Sequence, residues 1–135
     1  MLTAAIEATN LSKIYRKKAA VQDVTFRVNP GEVYALVGPN AAGKTTIIRL
    51  VAGLAFPTSG EVRLAGENPH EKPQVRRKLG AVVEAPAAFY PYLTGRGNLK
   101  LHADLAGNVP KERIDEVLYM MELHDAADRK VGVYS

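Results

Sequence analysis

Val33-Tyr34-Ala35-Leu36-Val37-Gly38-Pro39-Asn40-Ala41-Ala42-Gly43-Lys44-Thr45-Thr46 decides the reading of this chain. A short apolar run, of the kind that forms a strand buried on both faces, meets a glycine and crosses a loop of small residues. It then enters a helix-periodic run at Lys44-Thr45-Thr46-Ile47-Ile48. Gly38, Gly43, Lys44 and Thr45 fit the spacing GxxxxGK(S/T) of a phosphate-binding loop. Such a loop turns consecutive backbone N–H groups inward, toward an anion held at a helix N-terminus. Lys44 is then placed to reach the β- and γ-phosphates of a nucleotide, and the Thr45 hydroxyl to ligate Mg²⁺. The blander reading is a glycine turn followed by a surface lysine. It leaves the strand before the loop and the helix after it as coincidences.

Composition narrows the rest. At 135 residues, 47% apolar and 24% charged, the chain suits one globular core and is short for two ordinary domains. It has no cysteine, so a disulfide framework is excluded. No apolar run approaches the ~18 residues of a bilayer span, and Met1-Leu2-Thr3-Ala4-Ala5 lacks the pattern of a signal peptide. Any membrane contact is therefore expected to come through a partner. The net charge of +4 gathers partly at Lys13, Arg16, Lys17 and Lys18 and again at Arg76, Arg77 and Lys78. Without interleaved aromatic residues these clusters read as solvated faces, and no nucleic-acid partner is expected.

Taken in order, Ala5-Ile6-Glu7-Ala8-Thr9-Asn10-Leu11 reads as an outer strand, followed by a basic loop carrying Tyr15. Val24, Phe26 and Val28 alternate with Thr25 and Arg27 as a half-buried strand, and Asn29-Pro30-Gly31 turns the chain into residues 33–37. After the loop, Ile47, Leu50, Val51 and Leu54 share a helical face that ends at Gly53 and Pro57. Val62 and Leu64 alternate with Glu61 and Arg63 in a further strand of a second hairpin-like element. Pro73 opens a short basic helix, and Gly80-Ala81-Val82-Val83 reads as a strand delivering Glu84 to its end. Thr94 caps a helix that runs through Ala106 to Gly107. Pro110 begins another, with Ile114, Val117, Leu118 and Met121 on its buried stripe and Met120 and Met121 read as core packing.

The order of these pieces resembles the ATP-binding subunit of an ABC transporter. Leu11-Ser12-Lys13-Ile14-Tyr15 is similar to that family's A-loop, whose aromatic ring stacks on adenine. Gly38 to Thr46, GPNAAGKTT, is similar to its P-loop, and Leu50-Val51-Ala52-Gly53-Leu54 with Pro57-Thr58-Ser59-Gly60 to its helix exit and turn. Gly80-Ala81-Val82-Val83-Glu84-Ala85-Pro86 falls at the Q-loop, with Glu84 where the family usually has glutamine. That substitution, with Phe89-Tyr90-Pro91-Tyr92-Leu93-Thr94-Gly95 and Asn98-Leu99, resembles the branch of exporters tied to antibiotic or bacteriocin transport and self-protection.

The resemblance implies an α/β fold: a P-loop NTPase core of ABC type, with an N-terminal antiparallel β subdomain and the beginning of a helical subdomain. It assigns 1–70 to the β subdomain and P-loop core, 71–93 to the Q-loop region and 94–135 to part of the helical subdomain. It implies ATP and Mg²⁺ as cofactors, with Tyr15 on adenine and Gly38, Pro39, Asn40, Ala41, Ala42, Gly43, Lys44, Thr45 and Thr46 around the phosphates. Thr45 and Glu84 lie on the metal side, and Glu84 couples the site to the partner. The partners implied are a transmembrane permease subunit and a second ATP-binding subunit closing head to tail. The location implied is cytoplasmic, peripheral on the inner face of the cell membrane. The function implied is coupling of ATP binding and hydrolysis to export of a drug, antibiotic or peptide.

Two departures qualify this. Ala41 stands where the family usually has glycine; if its φ is positive, the Cβ costs about 1–2 kcal/mol and nucleotide affinity falls about five- to thirtyfold, whereas at negative φ nothing is lost. Tyr134-Ser135 resembles only the opening of the signature motif. The family's catalytic carboxylate and switch His come later, so His70, His102 and His124 are expected to be loop or helix-surface residues. The chain reads as the N-terminal part of a larger subunit, incomplete at its C-terminus, and by itself is expected to bind ATP weakly without turning it over. The alternatives are a self-contained P-loop kinase or NTPase, and a non-transport ABC protein acting on RNA or ribosomes.

Overall fold

Strand β1 (Ile6–Tyr15) pairs antiparallel with β2 (Lys18–Val28) along one edge and with β3 (Ser59–Leu64) along the other, so the sheet order is β2-β1-β3. The computed structural model describes residues 3–40, 42–83 and 88–134. They fall into two compact units, Met1–Val83 and Glu84–Ser135. The first strand, expected at the outside, is central instead: Ala8 and Leu11 are fully buried, and β3 folds back onto its free edge. A two-residue turn joins β1 to β2, with Arg16 at φ 44° and Lys17 at φ 70°. Two consecutive left-handed residues match the twist of the flanking strands.

Register shifts interrupt the β1–β2 ladder, and side chains take up the groups these leave over. The N–H of Asn10 (φ 47°) donates to Thr25 Oγ1 at 2.9 Å, and its amide Nδ2 donates to Asp23 Oδ1 at 2.8 Å. The N–H of Asp23 (φ 50°) donates to Ser12 Oγ at 2.9 Å.

Helix α1 (Lys44–Val51) buries Ile47, Leu50 and Val51 of the stripe read from the letters, whereas Leu54 lies beyond the helix end and is 66% exposed. They pack with Ala8, Leu11, Val21, Val62, Leu64 and Val75 into the core of this unit. The helix ends where expected. Gly53 sits at φ 70° and its N–H donates to Leu50 O at 3.1 Å, while the N–H of Leu54 donates to Arg49 O at 2.8 Å. This pair of bonds satisfies the last carbonyls and needs a left-handed residue at Gly53. The basic segment Pro73–Lys78 is a 3-10 helix that inserts Val75. His70 is more than a surface loop residue. Its ring lies 4.6 Å from that of Phe56, and its buried Nε2 has no hydrogen-bond partner among the described residues. Burial holds its pKa below the ordinary histidine value, and the charge of Arg76 acts the same way.

Residues 33–37 and 80–83, both expected as strands, belong to no ladder among the described residues. Val33 is 101% exposed and Val37 85%, so burial on both faces does not hold. The physical reason is that a strand covered twice needs paired neighbours on its edges, and this sheet ends at β2 and β3. One face is nevertheless partly covered. Tyr34 stacks on Phe26 with ring centroids 5.4 Å apart, and Leu36 packs against the core. Together with Ile47, Val51, Leu79 and Val82 they line an apolar cavity of about 400 Å³.

In the second unit, α2 (Gly95–Ala106) begins at Thr94, whose hydroxyl accepts from the N–H of Gly97 at 2.9 Å, and ends at Gly107 with φ 70°. Both boundaries match the expectation. Asn98 is buried but fully engaged: its Nδ2 donates to Tyr90 O and Thr94 O, and its Oδ1 accepts from the N–H of Tyr90. Helix α3 (Glu112–Met120) follows, and Arg96 of α2 reaches both Asp115 and Asp128. Leu118 is buried, but Met120 is 64% exposed and Met121 61%, so core packing is not their role in this unit. Met121 instead edges an apolar cavity of about 320 Å³ with Phe89, Leu99 and Val117.

Amide hydrogen exchange checks the correction to residues 33–37. Their amides are expected to exchange at near-coil rates, while those of Ala8 and Val62 in the ladder are protected by orders of magnitude. Equal protection of both sets would contradict the unpaired edge.

Candidate functional site

The site is built where β2 passes the start of α1. Gly43 caps the helix at φ 86°, and a Cβ built there would lie 2.1 Å from the carbonyl oxygen of Ala20 in β2. No side chain fits that gap, and the backbone angle alone disfavours one. Gly38 carries no such constraint, since its Cβ would meet only Ala42 Cβ at 3.4 Å. The N–H of Ala42 donates to Pro39 O at 3.2 Å, and the Lys44 ammonium donates to the carbonyl oxygens of Gly38 and Pro39. An ammonium has three protons, so the loop uses two and one remains for a ligand.

Helix α1 has no side-chain cap and no acidic residue in its first turn. The leading N–H groups and the positive end of the helix dipole thus receive no anion from the helix's own first turn. They open on a cavity of about 220 Å³ lined by Asn40, Ala42, Gly43, Lys44, Thr45 and Thr46, with Ala20 on the β2 side. Donors, one ammonium and two hydroxyls converge there, a set that fits a phosphate chain.

The structure therefore gathers most of the residues singled out in the sequence. Asn40, Ala42, Gly43, Lys44, Thr45 and Thr46 line the cavity, while Gly38 and Pro39 serve as the carbonyl rest for Lys44. Tyr15 ends β1, on the hairpin whose other strand brings Ala20 to the cavity; it is 43% exposed, with Lys13 Nζ 4.9 Å from its ring centroid. Ala41 and Glu84 lie outside the described residues. Ala20 was missed because nothing in its neighbourhood of letters marks it; only the close approach to Gly43 does.

Among the described residues no group of three His, Cys, Asp or Glu could hold a metal. Mg²⁺ usually keeps several waters and binds through one or two protein ligands plus substrate phosphates, and the Thr45 hydroxyl beside the cavity fits that pattern. His102 Nε2 lies 3.2 Å from Ala88 O, and His124 stacks on Tyr119 at 4.5 Å; both are exposed, as expected.

Comparison with known proteins agrees with this geometry. The family described as ABC transporter matches residues 21–135. The bacitracin transport ATP-binding protein of Bacillus licheniformis is 40% identical over 131 residues, covering 96% of this chain and 42% of that protein. The O-antigen export system ATP-binding protein of Klebsiella pneumoniae is 38% identical over 123 residues, covering 89% and 46%. A solved structure of the ATP binding subunit of an ABC transporter superposes with a TM-score of 0.77 at 28% identity, covering 97% of this chain and 56% of the other. The chain thus spans less than half the length of these two curated relatives.

Gly43→Ala is expected to destabilise the first unit by at least about 1–2 kcal/mol, the cost of a left-handed alanine before any clash. Gly80→Ala, where a Cβ meets nothing within 4 Å, is expected to stay within about 0.5 kcal/mol of the parent. Chemical denaturation of the two variants side by side checks the contrast.

Proposed function

The chain belongs to the ABC transporter family, with the fold of its ATP-binding domain, and on that premise we propose that it grips MgATP through the cavity at the start of α1. The observation that carries this is the convergence of the Lys44 ammonium and the uncapped first turn of α1 on one cavity beside Gly43. Ala42, Gly43, Lys44, Thr45 and Thr46 present the phosphate donors, with Gly38, Pro39, Asn40 and Ala41 completing the loop. Tyr15 holds the adenine, and Thr45 ligates Mg²⁺ from the protein side. Glu84, from its place in the sequence, stands on the metal side and links the site to the membrane partner.

The whole subunit, in this reading, pairs head to tail with a second ATP-binding subunit on a permease at the inner face of the membrane, and couples ATP binding and hydrolysis to transport. For cargo we propose outward transport of a peptide antibiotic. The similarity to the bacitracin transport protein supports it, together with Glu84 at the Q-loop position.

Titration calorimetry with MgATP tests the site: the parent chain is expected to bind, and Lys44→Ala to bind at least about tenfold more weakly, since a charge-assisted bond is worth about 1.5–3 kcal/mol. Unchanged affinity would remove Lys44 from the site. For coupling to a permease of this kind, this chain is substituted for the matching residues of the bacitracin transport protein beside that protein's permease. Bacitracin transport is expected to persist and to be lost with Lys44→Ala; a chimera that assembles and hydrolyses ATP without transport would contradict the proposed coupling.

A further inference from the structure

Lys13 has an unusual set of contacts for a strand lysine. Its Nζ donates to the carbonyl oxygen of Phe56 at 2.7 Å and lies 4.9 Å from the centroid of the Tyr15 ring. Lys13 and Tyr15 are two apart in β1, so they stand on the same face of the strand. The register irregularity beside them, Lys13↔Val21 followed by Ile14↔Ala19, puts the extra residue in β2 and leaves the alternation of β1 intact. The anchor is firm as well. The N–H of Thr58 donates to Ser12 O at 2.9 Å, and the N–H of Ile14 donates to Thr58 Oγ1 at 3.0 Å. Residues on both sides of Lys13 are thus tied to the segment that carries Phe56, and the Phe56 ring is itself set against His70.

We propose that Lys13 is a positioning residue for nucleobase recognition: it fixes the Tyr15 ring, occupies one of its faces and leaves the other for a purine. The proposal rests on Tyr15 being the adenine platform. Two physical effects follow from the geometry. A ring pinned by a cation on one face loses less rotamer freedom when a base stacks on the other. The ammonium also draws π density toward itself, which lessens the face-to-face repulsion that disfavours stacked rings. Phe56 connects this arrangement to the chain leaving α1, so the base platform and the phosphate-binding helix belong to one braced assembly within the unit.

The test separates base from phosphate. Affinities for MgATP and for magnesium tripolyphosphate, which has no base, are measured by calorimetry for the parent chain and for Lys13→Met, Lys13→Arg and Lys44→Ala. Lys13→Met keeps the apolar stem and is expected to weaken MgATP by about two- to fivefold while leaving tripolyphosphate unchanged; Lys13→Arg restores MgATP binding. Lys44→Ala weakens both ligands. If Lys13→Met binds MgATP like the parent, or loses both ligands in equal measure, the positioning role is overturned. A parent chain that binds neither ligand overturns the nucleotide-site reading and this role with it. A parent sensitive to Lys44→Ala but indifferent to Lys13→Met overturns this role alone.

Discussion

The constraint that ties fold to site is the close passage of the Ala20 carbonyl against Gly43. It admits no Cβ, so it fixes glycine at the start of α1 and holds β2 against the loop that leads into the helix. Fold and site are joined there. The same helix that opens onto the cavity with its first turn buries Ile47, Leu50 and Val51 in the core with β1, β2 and β3. A displacement of α1 that spoiled the core would also move the donors, and a side chain at Gly43 would disturb both.

Charge follows from that seam. Gly43 offers no side-chain cap, and the first turn of α1 contains no carboxylate. An ordinary helix start is satisfied by Ser, Thr, Asp or Asn; here no side chain caps it. Lys44 adds a full positive charge but is braced by the carbonyls of Gly38 and Pro39, which keep the ammonium over the loop. Backbone atoms thus set the position of the Lys44 charge.

Local signals in the letters proved the most legible. The loop spacing, the Gly53 exit of α1, the Thr94 cap and the Gly107 stop were all readable, because each depends on a backbone angle or a bond made within a few residues. What depends on distant partners was not. The central place of β1 depends on β3, far along the chain, closing on its edge. Residues 33–37 have the composition of a doubly covered strand, yet only Tyr34 and Leu36 find cover, from Phe26 and the core. Met121 fits the stripe of α3 by spacing and both Met120 and Met121 read as core packing, yet both stand exposed among the described residues. In the site, six of the foreseen residues line the cavity, whereas Ala20 and the contacts of Lys13 are products of strand pairing that no motif encodes.

Membership of the ABC transporter family gives these local features a common purpose. The most direct measurement of the central claim is a ¹H–¹⁵N NMR titration of this chain with MgATP, following the amides of Gly43, Lys44, Thr45 and Thr46. The account predicts saturable downfield shifts at those amides, reproduced by the triphosphate alone. Saturable nucleotide binding that shifts other amides and leaves these four unmoved would contradict it.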